Sequence, residues 1–166
     1  MSPPPAADGP ESAERAAGLV LPPAARAGLV DHLRAAWPAE GCALLSGRTG
    51  AGGWWIVEAV HPAANVAASD RRHDRFEVDP AARLALTRAL RGGPLRLIGH
   101  AHSHPGRPPV PSQTDHRAAA EPDLVWVIVG LASADDPAPG LTAWAVTDWT
   151  PDHGAGGFRP LPVRDA

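Results

Sequence analysis

Two histidines and an aspartate in the middle of this 166-residue chain have the types and the spacing of a metal-ligand set. His102 and His104 are two residues apart, and Asp115 follows after a proline-rich loop. Residues two apart on an extended strand point the same way, so both imidazoles can reach one ion, whereas a helix would need a spacing of about four. Catalytic zinc typically takes three protein ligands and keeps a fourth position for water. The pattern predicts one Zn²⁺ ion held by His102, His104 and Asp115, with water in the fourth position.

The elements that must position these ligands are a strand and a short helix. Alternating residues over 95–101 predict a strand that leads directly into the histidines. Ser112 begins a helix predicted to extend to about residue 120, and it shares the first helical turn with Asp115. The same two residues match a Ser-x-x-acid capping box, which stabilises a helix by about 1 kcal/mol. Ser112 can therefore cap the helix and still present its hydroxyl to a substrate.

The remaining hydrophobic pattern predicts alternating helices and strands. An unbroken apolar run over 124–129 indicates a central strand covered on both faces. Other strands are predicted over 42–46, 54–60, 76–78, 141–147 and 158–163, and helices over 22–37 and 80–91. This order favours an α/β fold with a mixed sheet. We expect one domain over 19–150, a mobile leader over 1–18 and a C-terminal tail over 151–166 with room for a last edge strand.

A hydrolytic metal site also needs a proton acceptor, and Glu40 is the candidate. It stands just before the apolar run that begins at Cys42, where a carboxylate has no packing role. A carboxylate there could take the proton of the attacking water and pass it to a leaving amine. The hydroxyl of Ser112 could donate a hydrogen bond to the developing oxyanion. An ordinary surface carboxylate at a helix end is the alternative interpretation of Glu40.

Together these residues resemble the JAMM (MPN-plus, JAB domain) metalloproteases, whose motif reads Glu, a long gap, His-Ser-His-Pro, a spacer and Ser-x-x-Asp. The corresponding residues are Glu40, His102-Ser103-His104-Pro105 and Ser112-Gln113-Thr114-Asp115. The resemblance covers residues 19–150. It implies that His102, His104 and Asp115 bind the metal, that Glu40 is the general acid and base, and that Ser112 stabilises the oxyanion. It also implies a mixed, curved β-sheet packed with helices, of the cytidine-deaminase-like (JAB/MPN) type.

The resemblance carries an expected activity. Family enzymes cut peptide or isopeptide bonds after the C-terminal Gly-Gly of ubiquitin or ubiquitin-like proteins, and compact prokaryotic members are similar to enzymes that trim sulfur-carrier proteins. No long insertion follows the helix of Asp115, so the compact type is expected. Two alternatives are a non-catalytic scaffold of the same fold and a zinc hydrolase of a substrate that is not ubiquitin-like. A deaminase is disfavoured because its ligand set is rich in cysteine, and this chain has one.

Composition excludes several classes of function. The net charge of -3 comes from interspersed charges without a basic run, so a nucleic-acid partner is not expected. The single cysteine excludes an internal disulfide and a multi-thiolate metal site, and it fits a reducing compartment. No apolar run approaches about 18 residues, so no membrane span is predicted. We expect a cytoplasmic protein, and the sequence leaves its oligomeric state open.

Two further residues near the motif have competing interpretations. His100 shares the strand face of the ligands, so a pair of His100 and His102 formally rivals the pair of His102 and His104. Pro105 and the spacer that follows fit the second pair alone, and His100 is expected to line the groove or support the ligands. Cys42 lies within an apolar strand, which favours a small buried residue over a nucleophile.

Overall fold

Eight strands form one curved, nearly closed mixed sheet in the computed structural model, which describes residues 12–154 and 156–166. The strands are β1 (Gly18–Val20), β2 (Cys42–Thr49), β3 (Trp54–Ala63), β4 (Arg96–Pro105), β5 (Val125–Leu131), β6 (Gly140–Thr147), β7 (Gly157–Leu161) and β8 (Val163–Arg164). The helices are α1 (Pro23–Arg34), α2 (Pro80–Leu90) and α3 (Gln113–Ala118). The strand order is β7-β6-β5-β4-β2-β3-β1-β8. This architecture confirms the predicted α/β class with a mixed sheet.

Strands β4 and β5 form the centre of the sheet. They are parallel neighbours, and β2 pairs with the other edge of β4 in the antiparallel direction. Every residue of β5 is buried, as its unbroken apolar run predicts. Because side chains alternate along a strand, β5 presents Val127 and Val129 to the main core and Trp126 to a smaller cluster on the opposite face. The two faces of the sheet centre therefore belong to different packing layers.

Helix α1 covers the face that carries the main core. It begins at a proline, whose missing N–H is not needed in the first turn, and it buries Leu29 and Leu33 completely. The helix ends at Arg34, whereas the sequence analysis predicts an end at Trp37. Pro38 disfavours helical backbone at Trp37, the residue before it. Helix α2 contacts β4 on the other side of the molecule. None of the described helices is long and apolar enough to span a membrane.

The two edge strands of the nearly closed sheet are adjacent in the chain. Strand β7 lies at one end of the strand order and β8 at the other, yet only Pro162 separates them. The N-terminal segment supports this closure, since Ala13 and Ala16 are buried. The Arg159 guanidinium on β7 also donates to the backbone carbonyls of Glu14 and Ala16. The expected C-terminal tail therefore supplies two strands of the sheet.

The structure differs from the sequence-based expectation in two segments. Residues 1–11 of the expected leader lie outside the described residues, and within residues 12–17 the side chains of Ala13 and Ala16 are buried. The sequence does not predict the following strand β1, because it is very short and pairs in parallel with the distant β3. The strand expected over 76–78 is a single bridge between Asn65 and Val78, since the Asn65 side chain holds this segment in place of a backbone ladder.

Two glycines provide a test of the strand packing. A Cβ added at Gly47, beside the bulge in β2, would lie 1.9 Å from the carbonyl oxygen of Ile56 and 2.7 Å from the Ile98 side chain. We expect Gly47→Ala to lower the free energy of unfolding by about 1–3 kcal/mol, because overpacking against backbone pushes the strands apart. Gly28→Ala, in α1 with open space around the new Cβ, should raise it by up to about 1 kcal/mol. Denaturant unfolding measures both, and equal stability of the two variants would contradict this packing.

Candidate metal centre

The side chains of the two histidines and the aspartate lie close together as a compact group of three potential metal ligands, called the donor group below. The Nε2 atoms of His102 and His104 are 3.0 Å apart. Oδ1 of Asp115 lies 3.1 Å from Nε2 of His102, and its Oδ2 lies 3.2 Å from Nε2 of His104. All three side chains are buried. In the part of the chain that the structure describes, this is the one cluster of His, Cys, Asp and Glu side chains that could hold a metal ion.

The end of β4 and the start of α3 bring these donors together. Strand β4 continues past its predicted end to Pro105, so both histidines lie on extended backbone and point to the same face. Ser112 is the N-cap of α3, and its hydroxyl accepts from the N–H of Asp115 at 3.1 Å. In return, the Ser112 N–H donates to Oδ2 of Asp115 at 2.7 Å. This reciprocal capping box confirms the predicted helix start and directs the aspartate toward the strand.

Hydrogen bonds with the backbone fix the protonation states of two of the ligands, His104 and Asp115. The Pro108 carbonyl accepts from Nδ1 of His104 at 3.0 Å, so the ring proton lies on Nδ1 and Nε2 keeps its lone pair. Burial opposes the charge of Asp115, but the hydrogen bond from His102 and the one from the Ser112 N–H hold the pKa of Asp115 well below its usual range. An ionised carboxylate and an imidazole lone pair therefore face each other in a buried space.

The geometry of this group fits a tetrahedral metal ion. At zinc–ligand distances of about 2.0–2.1 Å, the ligand atoms of a tetrahedral site are about 3.3 Å apart. The separation of 3.0 Å between the two histidine Nε2 atoms is close to that value, and each of these nitrogens has one oxygen of the Asp115 carboxylate within 3.2 Å. Without a cation, the lone pair of His104 would face the Asp115 carboxylate at high energetic cost. The site therefore suits a divalent metal such as zinc.

No thiolate joins this donor set. Cys42 is completely buried, and its Sγ points to the Ala63 carbonyl at 3.6 Å. Burial, with the nearby Glu40 charge, raises the pKa of the Cys42 thiol to about 12. The prediction of a small buried cysteine is confirmed.

His100 lies on the strand face of the ligands but outside the donor group. Its ring centroid is 6.5 Å from that of His102, and the Phe76 ring stacks on His102 with centroids 4.1 Å apart. Burial lowers the pKa of His100 to about 3, so its ring is neutral. The ring lines a cavity of about 320 Å³ together with Phe76, Arg83 and Trp126. The donor group thus contains the pair of His102 and His104, and His100 lines an adjacent pocket.

Glu40 lies just before β2, with its side chain buried within electrostatic reach of the donor group. Its backbone N–H donates to the Arg72 carbonyl at 2.6 Å, and its carbonyl accepts from the Asn65 amide at 2.8 Å. Its carboxylate accepts from the Arg107 guanidinium. Burial raises the pKa of Glu40 to about 7, against the lowering effect of His104 and Arg107. A carboxyl with this pKa can exchange a proton near neutral pH, as a general base must.

Sequence reasoning misses three residues that shape this site, namely Asn65, Phe76 and Arg107. The Asn65 amide donates to two backbone carbonyls, one of them that of Glu40, and accepts from two backbone N–H groups. Three of these four hydrogen bonds lie within the loop between β3 and α2, and the fourth ties that loop to Glu40. One signal was available, because Asn65 is the single asparagine of the chain. No local pattern marks Phe76 or Arg107, whose partners lie far away in the sequence.

Ser112 performs the capping role in the structure as it stands. Its hydroxyl oxygen lies 2.8 Å from Oδ2 of Asp115 and donates its proton there. To donate to a substrate, the hydroxyl proton must turn away from this carboxylate, while the oxygen continues to accept from the Asp115 N–H. The arrangement therefore permits the hydroxyl to cap the helix and to donate to a substrate at the same time.

The comparison with protein families agrees with this geometry. A family model described as prokaryotic homologs of the JAB domain matches residues 22–147. The chain belongs to this family. The matched range contains Glu40, Ser112 and the three donors of the metal group. Enzymes of the JAMM family use zinc.

Named relatives and solved structures support the assignment to the JAB family. The chain is 36% identical over 126 residues to the desampylase of Haloferax volcanii, covering 76% of this chain and 78% of the relative. A solution structure of a protein from Desulfitobacterium hafniense matches with a TM-score of 0.74 and 28% identity, covering 89% of this chain and 92% of that one. One from Salinibacter ruber matches with a TM-score of 0.62 and 32% identity, covering 90% and 91%. These findings confirm the JAB/MPN fold and identify the chain as a hydrolytic enzyme of the JAMM family.

The buried carboxyl of Glu40 leads to a prediction about stability. The pKa of this carboxyl rises from 4.5 to about 7 on folding. In the metal-free protein, ionisation of Glu40 therefore has no effect on stability below pH 4.5, lowers it progressively as the pH rises from 4.5 to 7, and has its full destabilising effect above pH 7. Glu40→Gln removes this charge. We expect the metal-free variant to be about 1–3 kcal/mol more stable than wild type at pH 8, and nearly equal to it at pH 4.5. Denaturant unfolding in the presence of a chelator measures the difference at both pH values.

The matched control is Glu77→Gln, which removes an exposed carboxylate from the loop before α2. It should show no gain at pH 8. If Glu40→Gln is less stable than wild type at pH 8, the buried carboxyl does not carry the cost that its environment implies.

Proposed function

We propose that this chain is a zinc-dependent peptidase or isopeptidase that cleaves after the C-terminal Gly-Gly of a ubiquitin-like protein of the sulfur-carrier type. The observation that carries the proposal is the buried group of His102, His104 and Asp115, with the carboxyl of Glu40 in electrostatic reach of it. The group holds two imidazoles and one carboxylate, which leaves a coordination position for water. Such a site is suited to hydrolysis.

Each residue of the site has one role in the proposed reaction. A zinc ion bound by the three ligands would supply a nucleophilic water near neutral pH. Glu40 accepts a proton from the attacking water and returns it to the leaving amine. The hydroxyl of Ser112, once turned from Asp115, donates to the substrate carbonyl oxygen as negative charge develops there.

The proposed substrate class rests on the relative from Haloferax volcanii. That enzyme is a desampylase, which acts on ubiquitin-like SAMP proteins. A Gly-Gly tail suits a site of this kind, because extended glycines can approach backbone closely and pair with it as an added strand. A non-catalytic scaffold would have no need of the three donors, all of which are in place. A cysteine-ligated deaminase site is disfavoured because the buried Cys42 thiol lies outside the donor group and points to the Ala63 carbonyl.

Cleavage of defined fusions tests the proposal. Zinc-loaded protein is incubated with ubiquitin-like carriers that end in Gly-Gly followed by a short peptide, and the products are identified by mass spectrometry. We expect cleavage directly after Gly-Gly, loss of activity with a chelator, and a fall in kcat of about 10²- to 10⁴-fold in Glu40→Gln. The variant should retain zinc, because Glu40 is not among the ligands.

Three results would contradict the proposal in different ways. Absence of zinc from carefully purified protein would contradict the zinc-dependent mechanism. Undiminished turnover by Glu40→Gln would contradict the role of Glu40 as the proton acceptor in that mechanism. If the fusions stay intact while unrelated short peptides are cleaved in a zinc-dependent way, the chain is a zinc hydrolase whose substrate is not ubiquitin-like.

Substitutions at Ser112 separate its two roles. Gly is tolerated at an N-cap at a cost of a few tenths of a kcal/mol, but it has no hydroxyl. We expect Ser112→Gly to lower kcat by about 10²- to 10³-fold with little change in the free energy of unfolding, because the oxyanion donor is lost. Ser112→Thr retains the hydroxyl and should stay within about tenfold of wild type. Equal kcat values for the two variants would show that Ser112 serves only as the cap.

A further inference from the structure

The carboxylate of Glu40 is held by one side chain. The Arg107 guanidinium donates through Nη2 to Oε1 of Glu40, and no other described side chain or backbone N–H bonds to this carboxylate. The side chain of Glu40 is 2% exposed, whereas that of Arg107 is 34% exposed. The buried carboxylate therefore depends on a partner that reaches in from the surface.

The position of Arg107 is fixed by the loop between β4 and α3. Its N–H donates to the His104 carbonyl at 3.3 Å, and the next residue, Pro108, holds the ring of His104 through its carbonyl. The loop also packs closely on β5, since a Cβ added at Gly130 would lie 2.9 Å from the Arg107 carbonyl oxygen and 2.8 Å from Pro109. One rigid loop thus orients a ligand of the metal group and the carboxylate beside it.

We propose that Arg107 is the positioning residue of Glu40: it holds the carboxylate through Oε1 and leaves Oε2 to accept the proton of the attacking water. This inference rests on the proposed function. A carboxylate that lost its guanidinium partner would be an unpaired charge in a buried site, and it would turn toward solvent or take up a proton. Either change removes the proton acceptor without touching the metal ligands.

The pair also explains how a buried glutamate can serve as a base. Burial alone pushes the pKa of Glu40 upward, and Arg107 opposes that rise. An arginine is suited to this task because its guanidinium stays charged and directs several N–H groups in one plane. A lysine would keep the charge but not the planar donor geometry, so it should replace Arg107 only in part.

A double-mutant cycle in kcat tests the inference. In the zinc-loaded full chain, Arg107→Gln should lower kcat by about 10- to 100-fold with KM and zinc content unchanged, and Arg107→Lys should recover part of the loss. In the Glu40→Gln background, Arg107→Gln should change the residual kcat less than twofold, because its effect passes through Glu40. The matched control is Arg88→Gln, an exposed arginine on α2, which should leave kcat unchanged.

Each contrary result overturns the inference. The first is an unchanged kcat in Arg107→Gln, and the second is a change in that variant that is confined to KM. The third is an equal loss of kcat when Arg107→Gln is introduced into wild type and into Glu40→Gln. If Arg107→Gln does not fold, Arg107→Lys is carried through the same cycle.

Failure of the proposed function is recognised separately, because the wild-type chain would then cleave no Gly-Gly fusion. In that case, a double-mutant cycle on denaturant unfolding at pH 8 decides whether positions 40 and 107 interact. Additive effects of Glu40→Gln and Arg107→Gln on the free energy of unfolding would overturn the contact itself.

Discussion

An electrostatic constraint governs this molecule: two imidazole nitrogens and an ionised carboxylate lie 3.0–3.2 Å apart where water has little access. Such an arrangement is favourable around a cation and costly without one, since repulsion between lone pairs is poorly screened in a protein interior. Backbone groups outside the donor group hold two of these side chains in place. The Pro108 carbonyl secures His104, and the Ser112 N–H secures Asp115. The protein backbone therefore preserves a geometry that a metal ion can use with little rearrangement.

Two loops convert this donor group into a candidate active site. The loop after β4 begins with a turn at Gly106, whose φ of 66° favours glycine, and it carries both Arg107 and the carbonyl that orients His104. The loop between β3 and α2 is tied together by Asn65, which also bonds to the backbone of Glu40. The same loop places the Phe76 ring on His102. Each of the two loops thus contacts both a metal-ligand side chain and Glu40.

The site is arranged at the expense of stability. Glu40 would be more stable in water, as its raised pKa indicates, and its charge is tolerated because Arg107 lies against it. Buried ion pairs of this kind often contribute little net stability, since desolvation offsets their attraction. A buried carboxyl that titrates near neutral pH beside a candidate metal group is better explained by proton transfer than by folding. The same reasoning separates Glu40 from the exposed carboxylates of the chain, whose environments require no such explanation.

Much of this protein can be predicted from its sequence, wherever a short window of chain contains the whole interaction. The alternation of a strand places His102 and His104 on one face, the four residues from Ser112 to Asp115 contain a complete capping box, and an apolar run identifies the buried strand β5. Recognition of the family motif adds Glu40 to these residues. The first three features depend on backbone periodicity or on a local hydrogen bond, so the sequence alone determines them.

Only the tertiary structure decides the contacts between distant segments. Arg107 meets Glu40 across 67 residues, and Arg159 meets the backbone of Ala16 across 143. Strands β7 and β8, although consecutive in the chain, lie at opposite ends of the strand order, which the curvature of the sheet brings close together. No period in the sequence encodes such pairings, because they depend on how the whole sheet curves and on which side chains that curvature buries together. The pKa of Glu40 belongs to the same class, since burial within the assembled fold sets it.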